Sequence, residues 1–73
     1  MQEFTIIYER GETSWGAYVP DLPGCVAVGE TRAEVEEGIQ NALRMHLEAL
    51  RTQGQSAPRP AHWAQTVWMP VPA

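Results

Sequence analysis

The residue types that most often carry out chemistry are few in this chain, and their spacing is not that of a reactive site. The sequence has one cysteine, Cys25, and two histidines, His46 and His62. None of them falls in a Cys-x-x-Cys or His-Glu-x-x-His pattern, so the spacing does not indicate a metal site. A lone cysteine with no neighbouring base is usually a small buried apolar residue. We therefore expect Cys25 to lie in the core and His46 at its boundary, with its polar tip in solvent.

The carboxylates do not indicate hydrolytic chemistry either. A two-metal nuclease site needs several converging carboxylates, whereas Asp21 is the only aspartate in the chain. Four of the eight glutamates fall in a segment with helical periodicity, where solvation alone explains them. We therefore predict no catalytic, cofactor-binding or metal-binding residue, and we expect a protein that is not an enzyme and needs no cofactor. Residual ribonuclease activity that depends on Asp21 is the least favoured alternative.

Size and charge indicate a binding role instead. A chain of 73 residues buries only about 60% of its unfolded surface, so association with itself or with a partner is expected. Nine acidic residues outnumber five arginines, lysine is absent, and the formal net charge is −4. The arginines are scattered, unlike the basic stripe of a nucleic-acid binder. An acidic surface favours basic protein partners.

Nothing in the sequence indicates export or a membrane. A single cysteine cannot form an internal disulfide framework and suits a reducing compartment. The N-terminus enters strand-like sequence without a basic region followed by an apolar one. No apolar run approaches the roughly 20 residues that cross a bilayer. The expected location is the cytoplasm.

Residues 1–30 are predicted to hold three short strands. Alternating side chains over residues 3–10 and 15–19, separated by a short polar turn, favour an antiparallel hairpin. A stiff turn follows at residues 20–24, because its prolines fix φ and its glycine can take positive φ. A short apolar strand at residues 25–28 completes this part. The residues that build this turn and the following helix cap are Pro20, Asp21, Pro23, Gly24, Thr31 and Glu34.

One long helix is predicted over residues 31–53. Thr31 and Glu34 have capping-box spacing, in which the threonine hydroxyl accepts from the Glu34 amide and the carboxylate reaches back. Apolar residues recur at helical spacing as far as Leu50, and Gly54 is a natural residue to end the helix. Such a helix is about 33 Å long, against roughly 20–27 Å for a strand of six to eight residues. The helix should therefore overhang the sheet.

The C-terminal part is predicted to be a linker, residues 54–65, followed by a closing edge strand, residues 66–72. Prolines at alternate positions leave one side of that strand short of amide hydrogens, so this side must form the free rim of the sheet. Trp63 and Trp68 place two large apolar side chains in this C-terminal part. We expect them to pack under the helix overhang or to form an interface.

These elements predict one α+β domain over residues 1–73 with the order β-β-β-α-β. The sheet is expected to be small and antiparallel-dominated, with the long helix on one face. One helix covers only one face, so the other face is a candidate for association.

The turn, the capping box and the end of the helix form a pattern that is specific in combination, although each part alone is weak. The segments read V-P-D-L-P-G-C, V-G-E-T-R-A-E-V and L-E-A-L-R-T-Q-G, and the hairpin adds W-G-A-Y. Together they resemble the HicB family of antitoxins from bacterial and archaeal toxin–antitoxin pairs. The resemblance covers roughly residues 3–60, and the closing strand matches less firmly.

The resemblance implies a partial RNase H-like fold without nuclease carboxylates, which agrees with the lone Asp21. It also implies a partner, a small basic HicA-type toxin that cleaves mRNA and whose active site the antitoxin covers. Homo-oligomers, dimers or tetramers, are implied as well. Many family members continue into a C-terminal DNA-binding domain, whereas this sequence stops at Ala73. We therefore expect a short form with no direct contact to nucleic acid.

The sequence thus predicts an antitoxin-type protein-binding module that sequesters and neutralises such a toxin. The alternative is a solitary oligomeric scaffold or small-ligand-binding domain of the same fold, with no toxin partner. The partner or oligomer surface is expected on the acidic side of the helix, or on the sheet face and tail. Its candidate residues are Trp15, Tyr18, Glu34, Glu37, Glu48, Trp63 and Trp68.

Overall fold

A computed structural model describes every residue from Met1 to Ala73. Its elements are β1 (Ile7–Arg10), β2 (Trp15–Tyr18), β3 (Val26–Gly29) and α1 (Arg32–Thr52). The strands form one antiparallel sheet in the order β1-β2-β3, and α1 packs against β2 and β3. The α+β class and the order of these elements confirm the prediction. The RNase H-like relationship stays a prediction.

Alternation of side chains along the strands divides the sheet into a covered face and an open face. Ala17 lies opposite Tyr8 and Ala27, and all three side chains pack toward the core beneath α1. Tyr18 follows Ala17 in β2 and pairs with Val26 of β3. Because side chains alternate along a strand, Tyr18 and Val26 point to the open face. The core lies on the covered face and contains six buried residues: Ala17, Val19, Leu22, Cys25, Val35 and Ile39.

The predicted stiff turn between β2 and β3 consists of two consecutive β-turns. The Leu22 amide donates to the Val19 carbonyl, and the Cys25 amide donates to the Leu22 carbonyl, both at 3.0 Å. Gly24 occupies the second turn with φ of 88°, a conformation that L side chains rarely adopt. A further bond of 3.1 Å, from the Val19 amide to the Cys25 carbonyl, closes the loop. The turn buries its three apolar residues Val19, Leu22 and Cys25, while Pro20 is half-buried and Pro23 is exposed.

The helix begins with a variant of the predicted capping box. Thr31 is the N-cap, with φ of −128° and ψ of 158°, and its hydroxyl accepts from the Glu34 amide at 3.1 Å. The Glu34 carboxylate reaches back one residue further than expected and accepts from the Glu30 amide at 2.9 Å. The first bond satisfies a backbone donor that the first turn of a helix leaves unpaired, and the second satisfies the amide of the residue before the N-cap. The cap therefore fixes the chain direction between β3 and α1.

Replacing Thr31 with alanine is expected to lower the free energy of unfolding by about 1 kcal/mol, because the Glu34 amide loses its acceptor. Thermal or urea unfolding followed by circular dichroism would measure this change. Thr31→Ser keeps the hydroxyl and serves as the matched control. Equal stability of the alanine and serine variants would show that the cap bond contributes nothing.

The helix ends with the hydrogen bonds of a Schellman motif. Gln53 is the C-cap, and Gly54 follows with φ of 73°. The Gly54 amide donates to the Arg51 carbonyl at 3.0 Å, and the Gln55 amide donates to the Leu50 carbonyl at 2.8 Å. The helix boundaries and the role of Gly54 thus agree with the prediction. No helix in the structure has the length and apolar character needed to cross a membrane.

The closing edge strand predicted at residues 66–72 is not formed, so the observed order is β-β-β-α. Residues 55–73 have no regular secondary structure. A strand requires backbone pairing with a sheet edge, and no backbone hydrogen bond joins this segment to the rest of the sheet. Its contact with the N-terminal segment includes the Thr5 hydroxyl, which donates to the His62 carbonyl at 3.2 Å. This single chain therefore leaves its C-terminal segment without a strand partner.

Candidate functional site

The two aromatic residues predicted on the sheet surface lie on opposite faces. Trp15 is half-buried beside the core, and the Arg32 guanidinium lies 5.9 Å from its ring centroid. The same guanidinium lies 4.6 Å from the Tyr8 ring, within cation–π range. Tyr18 points to the open face and is 39% exposed. The expectation that Trp15 and Tyr18 share one binding face is therefore corrected, because strand alternation separates them.

The open face of the sheet carries an apolar patch that sequence reasoning missed in part. Val26 and Val28 of β3 are 59% and 84% exposed, and Tyr18 lies opposite Val26 in the register. These three residues are called the open-face patch below. Alternation along the strand separates Ala27 from its two neighbours in the sequence, but only the structure shows that Ala27 faces the helix and that the two valines therefore face away. Exposed β-branched residues on a sheet face are typical of a surface that another chain covers.

The three glutamates predicted to bind a partner differ in whether their carboxylates already have hydrogen-bond or ion-pair partners within the chain. The Glu34 carboxylate takes part in the helix cap. Glu48 accepts two hydrogen bonds from Arg51, one of 3.1 Å from Nε, and these bonds lower the pKa of Glu48 below its ordinary value. Glu37 is exposed and takes part in no salt bridge. Glu37 is thus the carboxylate of this set that is fully available to a basic partner.

A shallow groove runs along the exposed side of the second half of α1. Met45 lies in it and is 72% exposed, although methionine is an apolar side chain. Sequence reasoning did not select this residue, but its position outside the apolar stripe of the helix was the signal. An exposed methionine is adaptable and suits a binding surface. The groove is lined by Asn41, Arg44, Met45, Glu48, Ala49 and Thr52.

Asp21 joins the stiff turn to the C-terminal segment. Its Oδ1 accepts from Nδ1 of His62 at 2.7 Å and from the Ala61 amide at 3.0 Å. The Asp21 side chain is 4% exposed, and the hydrogen bond from His62 lowers its pKa below the ordinary value of 3.8. The sequence held no signal for this contact, because 41 residues separate the aspartate from His62. The only aspartate of the chain therefore has a structural role in docking the linker.

Replacing Asp21 with alanine is expected to release the linker and to speed hydrogen exchange at the Ala61 amide, which NMR would measure. The same contact should weaken in acid. Since the folded pKa of Asp21 is lowered, the contact is fully present above pH 3.8 and is lost as the pH falls through the folded value. The Leu22 amide, which bonds within the turn, serves as the internal control. Unchanged protection of Ala61 in the variant would contradict the assigned role.

The tryptophans of the C-terminal segment do not cover the helix overhang. Trp63 is 79% exposed and Trp68 is fully exposed, so the first of the two roles expected for them is wrong for this chain. Leu47 and Leu50 on the overhang are instead partly buried against the core. Trp63 instead lines a cavity with the N-terminal segment. The second expected role, a contribution to an interface, stays a prediction.

The residues first considered for chemistry lie apart in the structure. Cys25 is buried in the core, as expected, and burial raises the pKa of its thiol, so the neutral form is favoured. His46 is half-buried on α1, which agrees with a boundary position. No three histidine, cysteine, aspartate or glutamate side chains come together as a metal site. Cys25, His46 and Asp21 therefore do not form one site in this structure.

Comparison with known proteins gives matches that span most of the chain. Residues 4–70 match the family described as HicB_like antitoxin of bacterial toxin-antitoxin system. UPF0150 protein Ta0767 of Thermoplasma acidophilum is 33% identical over 58 residues, which are 78% of this chain and 84% of that protein. A chain in the solved HicA3 and HicB3 toxin-antitoxin complex is similar in structure, with a TM-score of 0.64 and 29% identity. That likeness covers 80% of this chain and 69% of the other.

Proposed function

We propose that this chain, which belongs to the family of HicB-like antitoxins of bacterial toxin–antitoxin systems, binds and neutralises a small basic HicA-type toxin. The observation that carries the proposal is the likeness to a chain in a HicA3 and HicB3 complex, at a TM-score of 0.64 and 29% identity. The proposal gives the chain a binding role without catalysis of its own. It also places the chain in the cytoplasm, where a toxin that cleaves mRNA meets its substrate.

Charge supports this role. The chain has a formal net charge of −4, and a protein that cleaves RNA needs positive groups to hold phosphates. Carboxylates on a rigid element can occupy such a site in place of the RNA backbone. Opposite potentials on two proteins also speed their encounter and favour one orientation. An acidic antitoxin and a basic toxin are therefore complementary before any specific contact forms.

The exposed side of α1 is the contact surface that we favour for the toxin. Glu37 offers a carboxylate without a salt-bridge partner, and Met45, about two turns further along, offers an exposed apolar side chain. Glu34 and Glu48 lie on the same helix, but the Glu34 carboxylate already takes part in the helix cap and the Glu48 carboxylate is paired with Arg51. Their remaining role is to keep the local potential negative. Glu37 is thus expected to contribute the largest charge-dependent part of the affinity.

Co-expression with the product of the neighbouring reading frame, which the proposal expects to be a small basic protein, tests the proposal. We expect the two proteins to purify as a complex, growth to recover in cells that produce the basic protein, and its RNA cleavage to stop when the complex forms. The dissociation constant should rise with salt, because exposed charges are screened within about 10 Å at 0.1 M ionic strength. Absence of both a complex and relief of toxicity would refute the proposal.

The alternative role, a solitary oligomeric scaffold, is favoured by one observation. The open-face patch and the C-terminal tryptophans expose large apolar side chains that the chain itself does not cover. Self-association would cover them without any toxin. A chain that forms a defined oligomer but does not bind the neighbouring basic protein would support this alternative.

A further inference from the structure

A cavity of about 370 Å³ lies where the N-terminal segment meets the linker, and no residue of α1 lines it. Its volume is within the range of sites that bind small ligands or single side chains. One wall belongs to the start of the chain and the other to the end of the linker. The residues that form these walls are Glu3, Phe4, Thr5, Pro60, His62 and Trp63.

Hydrogen bonds fix the two walls of the cavity relative to each other. The Thr5 hydroxyl donates to the His62 carbonyl at 3.2 Å, and the side-chain amide of Gln2 donates to the Pro58 carbonyl at 2.8 Å. Asp21 binds the same stretch of the linker. Both walls are thus positioned before a ligand arrives, which lowers the entropic cost of binding.

The polar side chains that line the cavity are hydrogen-bond acceptors. The Thr5 hydroxyl uses its hydrogen on the His62 carbonyl and keeps its lone pairs. An ionised Asp21 can only accept, so Nδ1 of His62 carries a proton, and Nε2 of the neutral ring is then an acceptor. Glu3 adds a carboxylate that has no salt-bridge partner. A ligand for this cavity must therefore supply hydrogen-bond donors.

The charge of the cavity favours a cation. Glu3 is the only carboxylate that lines it, and no arginine does, not even Arg59 of the linker. Met1 also lines the cavity, and its amino group forms no salt bridge. The negative charge of Glu3 is thus not paired within the chain, and it attracts a positively charged group.

Two aromatic residues favour a flat cation. Phe4 is half-buried and packs against the core, whereas Trp63 is 79% exposed and its ring is open to a ligand. Cations bind to the faces of aromatic rings, and best to tryptophan. The guanidinium of arginine is planar, stacks on aromatic rings and presents five donors. Among protein side chains, arginine therefore fits this combination of rings, acceptors and charge better than lysine does.

The cavity connects to the surface of α1 that is favoured for the toxin. Phe4 also lines a neighbouring groove with Gln40, Leu43 and Arg44 of α1. Arg44 in turn lines the groove that contains Met45. A protein that contacts the exposed side of α1 can therefore reach the cavity with one long side chain. This connection and the acidic charge of the chain favour a basic protein as the occupant over a free small cation.

We propose that the cavity receives the arginine side chain of a basic partner protein, with the guanidinium against Trp63 and paired with Glu3. The identity of the partner rests on the proposed toxin-binding role, whereas the preference for a guanidinium rests on the cavity alone. An arginine in a pocket with an aromatic wall is the kind of contact that carries a large share of the affinity in protein–protein interfaces.

A small probe tests the preference of the cavity in the full chain. N-acetyl-arginine methylamide should shift the indole N–H signal of Trp63 in NMR spectra and leave those of Trp15 and Trp68 in place. Its neutral isostere, N-acetyl-citrulline methylamide, should bind at least about tenfold more weakly, because it cannot pair with the carboxylate. No shift of the Trp63 signal, or equal binding of the two probes, would overturn the proposal.

The carboxylate is tested with the same probe. Glu3→Gln keeps the shape of the side chain and removes its charge, so it should weaken the binding of the arginine probe about tenfold. Glu12→Gln makes the same change in the turn between β1 and β2, outside the cavity, and is the matched control. Both glutamates are exposed, so neither variant should lose helical circular dichroism. Equal affinity of the two variants for the probe would overturn the pairing with Glu3.

The complex with the basic protein tests the occupant. Trp63→Ala should weaken this complex about tenfold, whereas Trp68→Ala, an exposed tryptophan of the same segment that does not line the cavity, should not. A complex whose affinity is unchanged by Trp63→Ala and Glu3→Gln would overturn the assigned occupant, even if the probe binds. If no complex forms, the proposed toxin-binding role fails together with the assigned partner, and the probe still decides whether the cavity prefers a guanidinium.

Discussion

The Ile39→Ala variant is expected to lose about 2–5 kcal/mol of stability, the largest effect of any single truncation in the chain. Ile39 has no exposed surface and is one of only six buried residues, so the cavity left by its side chain has few neighbours that could fill it. A chain of 73 residues is expected to have about 4–11 kcal/mol of stability in total. The variant should therefore lose a large share of the total stability, and its thermal unfolding midpoint should fall.

Urea unfolding at several protein concentrations would measure this loss and separate it from any contribution of dimer formation, which depends on concentration. Met45→Ala, on the same helix but 72% exposed, is the control and should change stability by less than about 0.5 kcal/mol. Equal stability of the two variants would mean that the core is not centred on the contact of α1 with the sheet.

The Glu37→Lys variant is expected to bind the basic toxin at least about tenfold more weakly at low salt, which corresponds to about 1.4 kcal/mol. The substitution replaces attraction by repulsion at the exposed carboxylate that has no salt-bridge partner. Most of the change should appear in the association rate and should diminish as salt is added. Binding kinetics over a salt series would measure both effects.

Glu12→Lys makes the same change in net charge in the turn between β1 and β2, away from α1, and is the matched control. It should alter the affinity for toxin much less than Glu37→Lys does. Neither variant should affect folding, since both residues are exposed. If the two variants weakened binding equally, only the overall charge would matter and α1 would not be the contact surface.

Local rules were sufficient for the part of the chain from β2 to the end of α1. Proline and glycine positions predicted the turn, and the spacing of Thr31 and Glu34 predicted the helix start. Gly54 marked the helix end. These features depend on residues within a few positions of one another, so their energetics are contained in the local sequence. The same local pattern was specific enough to indicate the family that residues 4–70 match.

The candidate surfaces were predicted only in part, because a surface depends on what other segments cover. Glu37 and Glu48 were both chosen from helical periodicity, but only the structure distinguishes the carboxylate without a salt bridge from the one held by Arg51. Trp15 and Tyr18 were chosen for their residue type. The register then placed Trp15 beside the core and left Tyr18 on the open face.

The sequence by itself determined the turn, the three strands, the capped helix, the acidic charge and the family. The tertiary structure decided that residues 66–72 stay unpaired and that Asp21 holds the linker through His62. The physical reason is range: caps and turns form between near neighbours, whereas strand pairing and ion pairs need a partner brought close by the whole fold.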